Sequence, residues 1–336
     1  MAKAKSKIKV KKAAGNGGDS WVTYRPEIKI LDCTVRDGGL MNNHNFDDSF
    51  VMAVYNTCLA AGVDYMEFGY KADKKIFSPA DYGRWKFCDE DDIKRIIGGE
   101  KNKMKLCVMA DAERTDYHHD ILPKSKSVFD CVRVATYIHQ IPTALDMVKD
   151  AADKGYETTL NLMSISVVKD SDLNKALDVI AKSDVGTIYI VDSFGSMYSE
   201  QVRDLCRKFS SAMKGTGKQI GIHTHNNQQL AYANTIEAII NGVNRLDATI
   251  DGLGRGAGNC PLELLIGFLK NPKYDIRPVL ECIQNVFLPL RKKIEWGFTI
   301  PYMITGQLNE HPRDAIKLRA SDNPDDYIAF YDKMIE

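Results

Sequence analysis

Two histidines spaced two residues apart, His223 and His225, close a short apolar run in "QIGIHTHNN". Alternate residues of a β-strand point to one side, so a strand here aims both imidazoles into one space. There they can share one metal ion, or pack as two satisfied core histidines. Two nitrogens make an incomplete metal site, and the rest of the chain must supply oxygens.

The elements that would position them follow from a repeated rhythm. Short β-branched or apolar runs recur at "IKILDCTV", "YMEFGY", "KLCVMA", "CVRVAT", "TTLNLM", "TIYIVD", "QIGIHTH" and "RLDATI". Stretches with helical spacing lie between them, among them "SFVMAVYNTCLAAG", "IPTALDMVKDAADKG" and "LAYANTIEAIINGV". Alternating strands and helices imply βαβ units and a parallel sheet. Gly62, Gly155 and Gly242 stand where a left-handed helix end is expected. Eight such units in about 250 residues predict a (β/α)8 TIM barrel. A doubly wound sheet is the competing architecture, but no GxGxxG follows the first strand.

Composition narrows the function classes. Acidic and basic residues balance at 45 each, so no global field points to nucleic acid or to a membrane surface. No apolar run approaches the roughly 18 residues of a membrane helix, and no apolar signal-peptide core follows the N-terminus. The eight cysteines include no CxxC pair and read as buried, reduced thiols of a cytoplasmic protein. The first twenty residues are lysine-rich, then glycine-rich, and are expected to form a disordered basic tail. The barrel is expected over residues 21–272. A helical extension, with no further strands, is expected over residues 273–336, lidding the barrel or meeting a second copy in a homodimer.

A barrel keeps its chemistry at the C-terminal ends of its strands. Read in order, those ends offer Asp32, Arg36 and Asp37 before a glycine pair that turns the backbone. Then come Glu67 and Tyr70, Arg133 and Thr136, Asn161 and Ser164, and Asp192. His223, His225 and Asn226 close the seventh, and a glycine-rich loop ending at Asn259 follows the eighth.

The runs "LDCTVRDGG", "DSFGSM", "HTHNN" and "GLGRGAGNCPLE" resemble the DRE-TIM metallolyases. That superfamily includes 4-hydroxy-2-oxovalerate aldolase, HMG-CoA lyase and isopropylmalate synthase, and the similarity is greatest to the aldolase branch. It spans roughly residues 28–270 and implies the same barrel. It further implies a divalent ion (Mn, Mg or Co) held by Asp37, His223 and His225, with Asn259 matching a fourth ligand. Such a set leaves positions open for the oxygens of a 2-keto acid. Arg36 matches the arginine that steadies an enolate oxygen, where a fixed cation with directional donors is needed. The implied substrates are a 2-keto acid such as pyruvate and an aldehyde.

One departure matters. Three residues after the metal-binding aspartate, where the aldolases carry a catalytic histidine, this chain has Leu40. His44, on the same loop, and Tyr302, in "GFTIPYMITG", are the candidates to replace it. Glu67, Ser164 and Asp192 are assigned to the substrate side, Glu67 by holding Arg36. "RDGG" with no immediate helix argues that Asp37 is not a helix cap, and the glycine-rich loop is expected to present Asn259. The divergent C-terminal segment does not carry over the aldolases' dehydrogenase partner. Two competing functions stay open: a Claisen-type synthase using an acyl-CoA, and a barrel that has lost catalysis and serves binding.

Overall fold

The computed structural model describes residues 25–98 and 103–336. The expected N-terminal tail, and the proposed start of the folded part at Trp21, lie outside the described residues.

Eight strands close into one parallel barrel: β1 (Lys29–Asp32), β2 (Tyr65–Tyr70), β3 (Lys105–Asp111), β4 (Cys131–Thr136), β5 (Glu157–Leu162), β6 (Thr187–Asp192), β7 (Gln219–Thr224) and β8 (Arg245–Ala248). Each pairs with its neighbours in sequence, and Lys29–Asp32 meets Arg245–Ala248 to complete the ring. The strands read as continuous apolar runs because both faces are covered. Ile30, Phe68, Val108, Val134, Ile188, Ile190 and Ile222 point outward and are fully or almost fully buried in the main core. Burying each such side chain contributes about 1.5–3 kcal/mol. The alternate residues point inward, where Leu31, Cys33, Tyr65, Cys107 and Cys131 make a small separate cluster.

Helices cover the outside: Asp48–Ala61, Glu90–Ile97, Ile141–Asp153, Asp170–Ile180, Ser199–Ala212, Ala231–Ile240 and Leu262–Leu269. The first ends on Gly62 in the left-handed conformation (φ 75°), where its amide reaches back to Leu59 O. The rhythm of eight units breaks once. Between β3 and β4 there is only one helical turn, Tyr117–Asp120, and a 3-10 turn, Lys124–Lys126.

Beyond the barrel the chain is helical, as expected from its spacing. Its first part, Arg277–Leu290, packs on the flank of the barrel against Asp48–Ala61, with the Phe287 and Phe50 rings 5.5 Å apart. Helices Ile300–Gln307, Arg313–Arg319 and Tyr327–Ile335 follow. The first of these rests on the loops after the strands. Gln228 Nε2 donates to Gly306 O at 3.4 Å, and Ser196 Oγ donates to Asn309 Oδ1 at 2.7 Å. Among the described residues no helix is long and apolar enough to cross a membrane.

Candidate active site

The site begins with a local event at the end of β1. Asp32 turns away from the barrel axis and accepts hydrogen bonds from Thr34 N (3.1 Å) and Thr34 Oγ1 (2.6 Å). These bonds start one helical turn, Thr34–Gly38, that carries Arg36 and Asp37. The expectation of no helix here is corrected, although Asp37 sits inside the turn and is not its cap. Gly38 and Gly39 are both right-handed, so positive φ is not their reason. A Cβ on Gly38 would come within 2.8 Å of Leu253, and one on Gly39 within 2.2 Å of His44 Nδ1. Close packing, not tight turning, requires the pair.

Arg36 is fixed from two sides. Its Nε donates to Glu67 Oε2 (2.7 Å) and its Nη1 to Asp37 Oδ2 (2.6 Å). A relay then crosses the barrel interior. Arg133 donates to Glu67 Oε2 (2.9 Å) and to Asp247 Oδ2 (2.6 Å), and Asp247 Oδ2 accepts from His223 Nδ1 at 3.0 Å. All these side chains are almost wholly buried. Tyr189 lies under the Arg133 guanidinium, 4.5 Å from ring centroid to carbon. Gly221 makes this possible, because a Cβ there would sit 2.4 Å from the Tyr189 ring.

His223 and His225 face one space, as the spacing requires. His225 Nδ1 donates to Asp192 O (2.9 Å), and with His223 Nδ1 committed to Asp247, both Nε2 atoms are left for Asp37. They lie 3.3 and 3.7 Å from Asp37 Oδ2. Asp37 Oδ1 accepts from the Arg255 amide at 2.8 Å. One ligand atom from each of Asp37, His223 and His225 lies within 4.8 Å of the others. Asn259 forms a backbone bridge with His225, and Gly258 is required for that loop, since a Cβ there would strike Gly252 O. Two buried atoms of this group, His225 Nε2 and Asn259 Oδ1, have no hydrogen-bond partner. Orphaned acceptors beside a carboxylate and a second imidazole make a group that could hold a divalent ion, with each imidazole oriented by a hydrogen bond on its far ring nitrogen.

The electrostatics fit this reading. Burial pushes the Asp37 carboxyl up, but Arg36 and the two histidines outweigh it and hold it well below the usual range. Burial, helped by the Arg255 charge, lowers His225 to about 4, leaving a neutral lone pair at pH 7. Burial works the same way on His223, but the Asp247 and Asp37 carboxylates hold it above its ordinary value. A second cluster, Cys33 with His223 and Asp247, shares an imidazole with the first. It suits a metal poorly, because burial keeps the thiol protonated and Arg133 already occupies Asp247.

The group opens on a cavity of ≈ 70 Å³ at the barrel mouth. Arg36, Asp37, His223, His225, Tyr70 and Arg255 line its polar side, with Asn161 and Ser193. Leu40, Met109, Ala135, Met163 and Val191 line the rest. Leu40 therefore faces the cavity, but the two candidates to replace the missing histidine do not line it. His44 is buried behind Gly39, edge-on to Tyr70 with ring centroids 5.3 Å apart, and burial lowers it to about 3. Tyr302 packs with Ala257, Ile304, Ala315 and Phe330, and its hydroxyl accepts from Arg319 at 2.9 Å. Ser164 and Asp192 also lie outside the lining. The Ser164 amide donates to Ser193 Oγ (2.8 Å), and the Asp192 carboxylate, raised to about 6 by burial, accepts from the amides of Ser196 and Met197. Both shape the loop that presents Ser193 and the carbonyl behind His225. The sequence reading did not assign Asp247, Ser193 or Arg255 to the site. Inward alternation from Arg245 would have pointed to Asp247.

Residues 27–284 match the HMGL-like family model. The chain belongs to the HMGL-like family. The resemblance drawn from its four motifs agrees with that membership. Within the family it is 30% identical over 253 residues to an oxaloacetate decarboxylase of Mycobacterium tuberculosis, covering 74% of this chain and 71% of that protein. It is 28% identical over 271 residues to a 4-hydroxy-2-oxovalerate aldolase of Carboxydothermus hydrogenoformans, covering 80% and 79%. Among solved structures, the N-terminal domain of a candidate aldolase from Bacteroides vulgatus superposes with a TM-score of 0.74 at 29% identity, over 88% of this chain and 98% of that one. The hydroxymethylglutaryl-CoA lyase of Pseudomonas aeruginosa shares the fold at 15% identity and a TM-score of 0.62, over 80% and 94%.

Proposed function

We propose that this HMGL-like chain is a divalent-metal-dependent lyase that makes or breaks a C–C bond next to a 2-oxo acid such as pyruvate, through an enolate. The observation that carries the reading is the convergence of Asp37, His223 and His225 on one point, with Arg36 fixed beside them at the cavity wall. Asp37, His223 and His225, with the free carbonyl of Asn259, would hold Mn, Mg or Co. When bound, the ion supplies Lewis acidity toward the 2-oxo acid.

The chain's own residues do the rest. In the cleavage direction the C3–C4 bond of the substrate breaks and its electron pair becomes the enolate. C4 leaves as an aldehyde carbonyl, and its hydroxyl proton passes to solvent water, since no side chain lining the cavity is left as a free base. Arg36 places a permanent positive charge at the cavity wall, and Glu67 and Asp37 hold its angle, so little reorganisation is needed as enolate charge develops. Leu40 cannot move the hydroxyl proton. The hydroxyls that line the cavity belong to Tyr70 and Ser193, and burial raises Tyr70, so it keeps its own proton and can orient the C4 oxygen by a hydrogen bond but cannot take its proton.

That shortage of a base favours a second reading, in which C4 is a carboxylate and leaves as carbon dioxide with no hydroxyl proton to remove. The oxaloacetate decarboxylase among the relatives is consistent with it. Both readings share the enolate, Arg36 and the metal group.

Metal analysis of the purified protein and of a His223→Ala/His225→Ala variant tests the site, together with pyruvate release from 2-oxo acid substrates. Metal should be retained by the parent protein, lost from the variant, and required for release. Equal metal content in both proteins overturns the reading.

A further inference from the structure

Every other charge around the cavity is matched. Arg36 and Arg133 are held by Asp37, Glu67 and Asp247. Arg255 lines the same cavity, and among the described residues no carboxylate pairs with it. Its Nη2 donates to the Ser193 carbonyl, while its Nε is buried with no partner at all. Its Nη1 lies 3.4 Å from His311 Nε2. The Arg313 amide donates to the other ring nitrogen, His311 Nδ1, at 3.1 Å. Burial and the neighbouring Arg255 lower His311 to about 4, so the ring is neutral and carries its one proton on Nε2. Donor therefore faces donor between Arg255 and His311, and an anionic oxygen entering there would be bound by both. Arg255 is part-buried, and a guanidinium with no acid beside it at a cavity wall is free to bind an anionic ligand.

We propose that Arg255 selects the substrate, by binding a second carboxylate on the C4 side of the 2-oxo acid, with His311 of the C-terminal segment beside it. The inference rests on the lyase reading above. It narrows the substrates to 2-oxo acids whose leaving half is anionic. Those are the aldol adduct of pyruvate with an aldehyde acid, or a 2-oxo diacid that loses carbon dioxide. The backbone amide of Arg255 holds Asp37 Oδ1, so a side-chain substitution leaves the metal group's support intact.

Two measurements test it. The first is equilibrium binding to the Mn-loaded protein of malate and of 2-hydroxybutyrate. The two have the same chain length, with two carboxylates and one, and neither has the 2-oxo group needed for cleavage. Wild-type protein should bind malate at least tenfold more tightly. Arg255→Met should bring the two within twofold while keeping its metal content and melting temperature, and Arg255→Lys should keep part of the preference. Equal affinities in wild-type protein, which needs no variant to fold, overturn the inference.

The second measurement compares kcat/KM for the pyruvate–glyoxylate aldol adduct, the pyruvate–acetaldehyde adduct and oxaloacetate. A tenfold lead for the glyoxylate adduct over the acetaldehyde adduct identifies the leaving half as an anionic aldehyde. A lead for oxaloacetate identifies it as carbon dioxide. Either supports the proposal. Cleavage that favours the neutral adduct, or does not discriminate, overturns the role of Arg255 and leaves the lyase reading standing. Preference for malate with no cleavage of any substrate overturns the lyase reading and leaves the carboxylate site.

Discussion

Replacing Asp247 with alanine tests whether the buried relay orients the metal group. One oxygen, Asp247 Oδ2, accepts from both His223 Nδ1 (3.0 Å) and Arg133 Nη2 (2.6 Å). Alanine takes that oxygen from both donors, whereas asparagine could keep both bonds by turning its NH2 to the position of Oδ1, which has no partner. His223 loses the partner that fixes its proton on Nδ1. Its Nε2 lone pair, now 3.3 Å from Asp37, is then no longer held in place. Losing such an orienting partner typically costs about 10–100-fold in metal affinity, which is about 1.4–2.7 kcal/mol. Arg133 is also left buried beside Glu67 alone, and breaking a buried pair costs about 3–5 kcal/mol of stability. The outcomes separate experimentally. Titration of metal-depleted protein with Mn, followed by calorimetry, reads the first, and denaturant unfolding at fixed pH reads the second. We expect Asp247→Ala to weaken Mn binding by at least tenfold, with at least 1 kcal/mol lost in stability. A dissociation constant within twofold of wild type, with an unchanged unfolding midpoint, would refute the claim that this relay positions the imidazole.

Two further outcomes follow from the same geometry. Arg36→Ala should lower kcat by about a hundred- to a thousand-fold with a small change in KM, as expected for a charge that acts where the enolate forms; an unchanged kcat with a raised KM makes Arg36 a substrate anchor instead. Burial raises the Asp32 carboxyl to about 7, against hydrogen bonds from Thr34 that pull it down. The folded state therefore binds this proton more tightly than the unfolded chain, with its carboxyl near 4, so the contribution is full below about pH 4 and is lost as pH rises through about 7, a swing of about 4 kcal/mol. Melting curves of Asp32→Asn should thus improve relative to wild type between pH 5 and pH 8, and parallel curves would show that Asp32 does not titrate in that window.

The barrel was legible because its signal is repeated. Outward residues such as Val132, Val134, Ile188 and Ile190 occur in short runs that only a sheet covered on both faces can use, and the pairing of His223 with His225 follows from the same two-residue period. What stayed hidden is either too short or too far apart in sequence. The turn Thr34–Gly38 has five residues, too few for any helical period, and it begins where Asp32 accepts from the Thr34 amide and hydroxyl. The relay joins Glu67 to Arg133 and Arg133 to Asp247, partners 66 and 114 residues apart, and no local pattern encodes such pairs. Arg255 was concealed by its setting, since a glycine-rich loop reads as backbone geometry even when its one long side chain faces the cavity. His44 and Tyr302 show the converse error. Each is a proton-carrying residue type near a motif, yet one packs behind Gly39 and the other closes a hydrophobic cluster in the C-terminal helices.

The barrel interior also bears on why the chemistry takes this form. Burying Glu67, Arg133, Asp247 and His223 together is not the most stable way to fill a barrel, since apolar residues of equal volume would serve at least as well. The arrangement makes sense as a device for direction. Glu67 holds two arginines at once, so the angle of Arg36 at the cavity is set by Arg133 deep in the barrel, and Asp247 links that same arginine to the proton position on His223. Arg36 and His223 are thereby held by one rigid chain of charges, though one lies in the turn after β1 and the other on β7, with β8 between them. Arg255 stands outside the chain. Its side chain comes from a loop, no acid among the described residues pairs with it, and its neighbour His311 belongs to the C-terminal segment. The division follows the two halves of the substrate. In the proposed reaction, the half that becomes the enolate meets a constellation locked by the barrel core, and the half that leaves meets residues that can change without disturbing it.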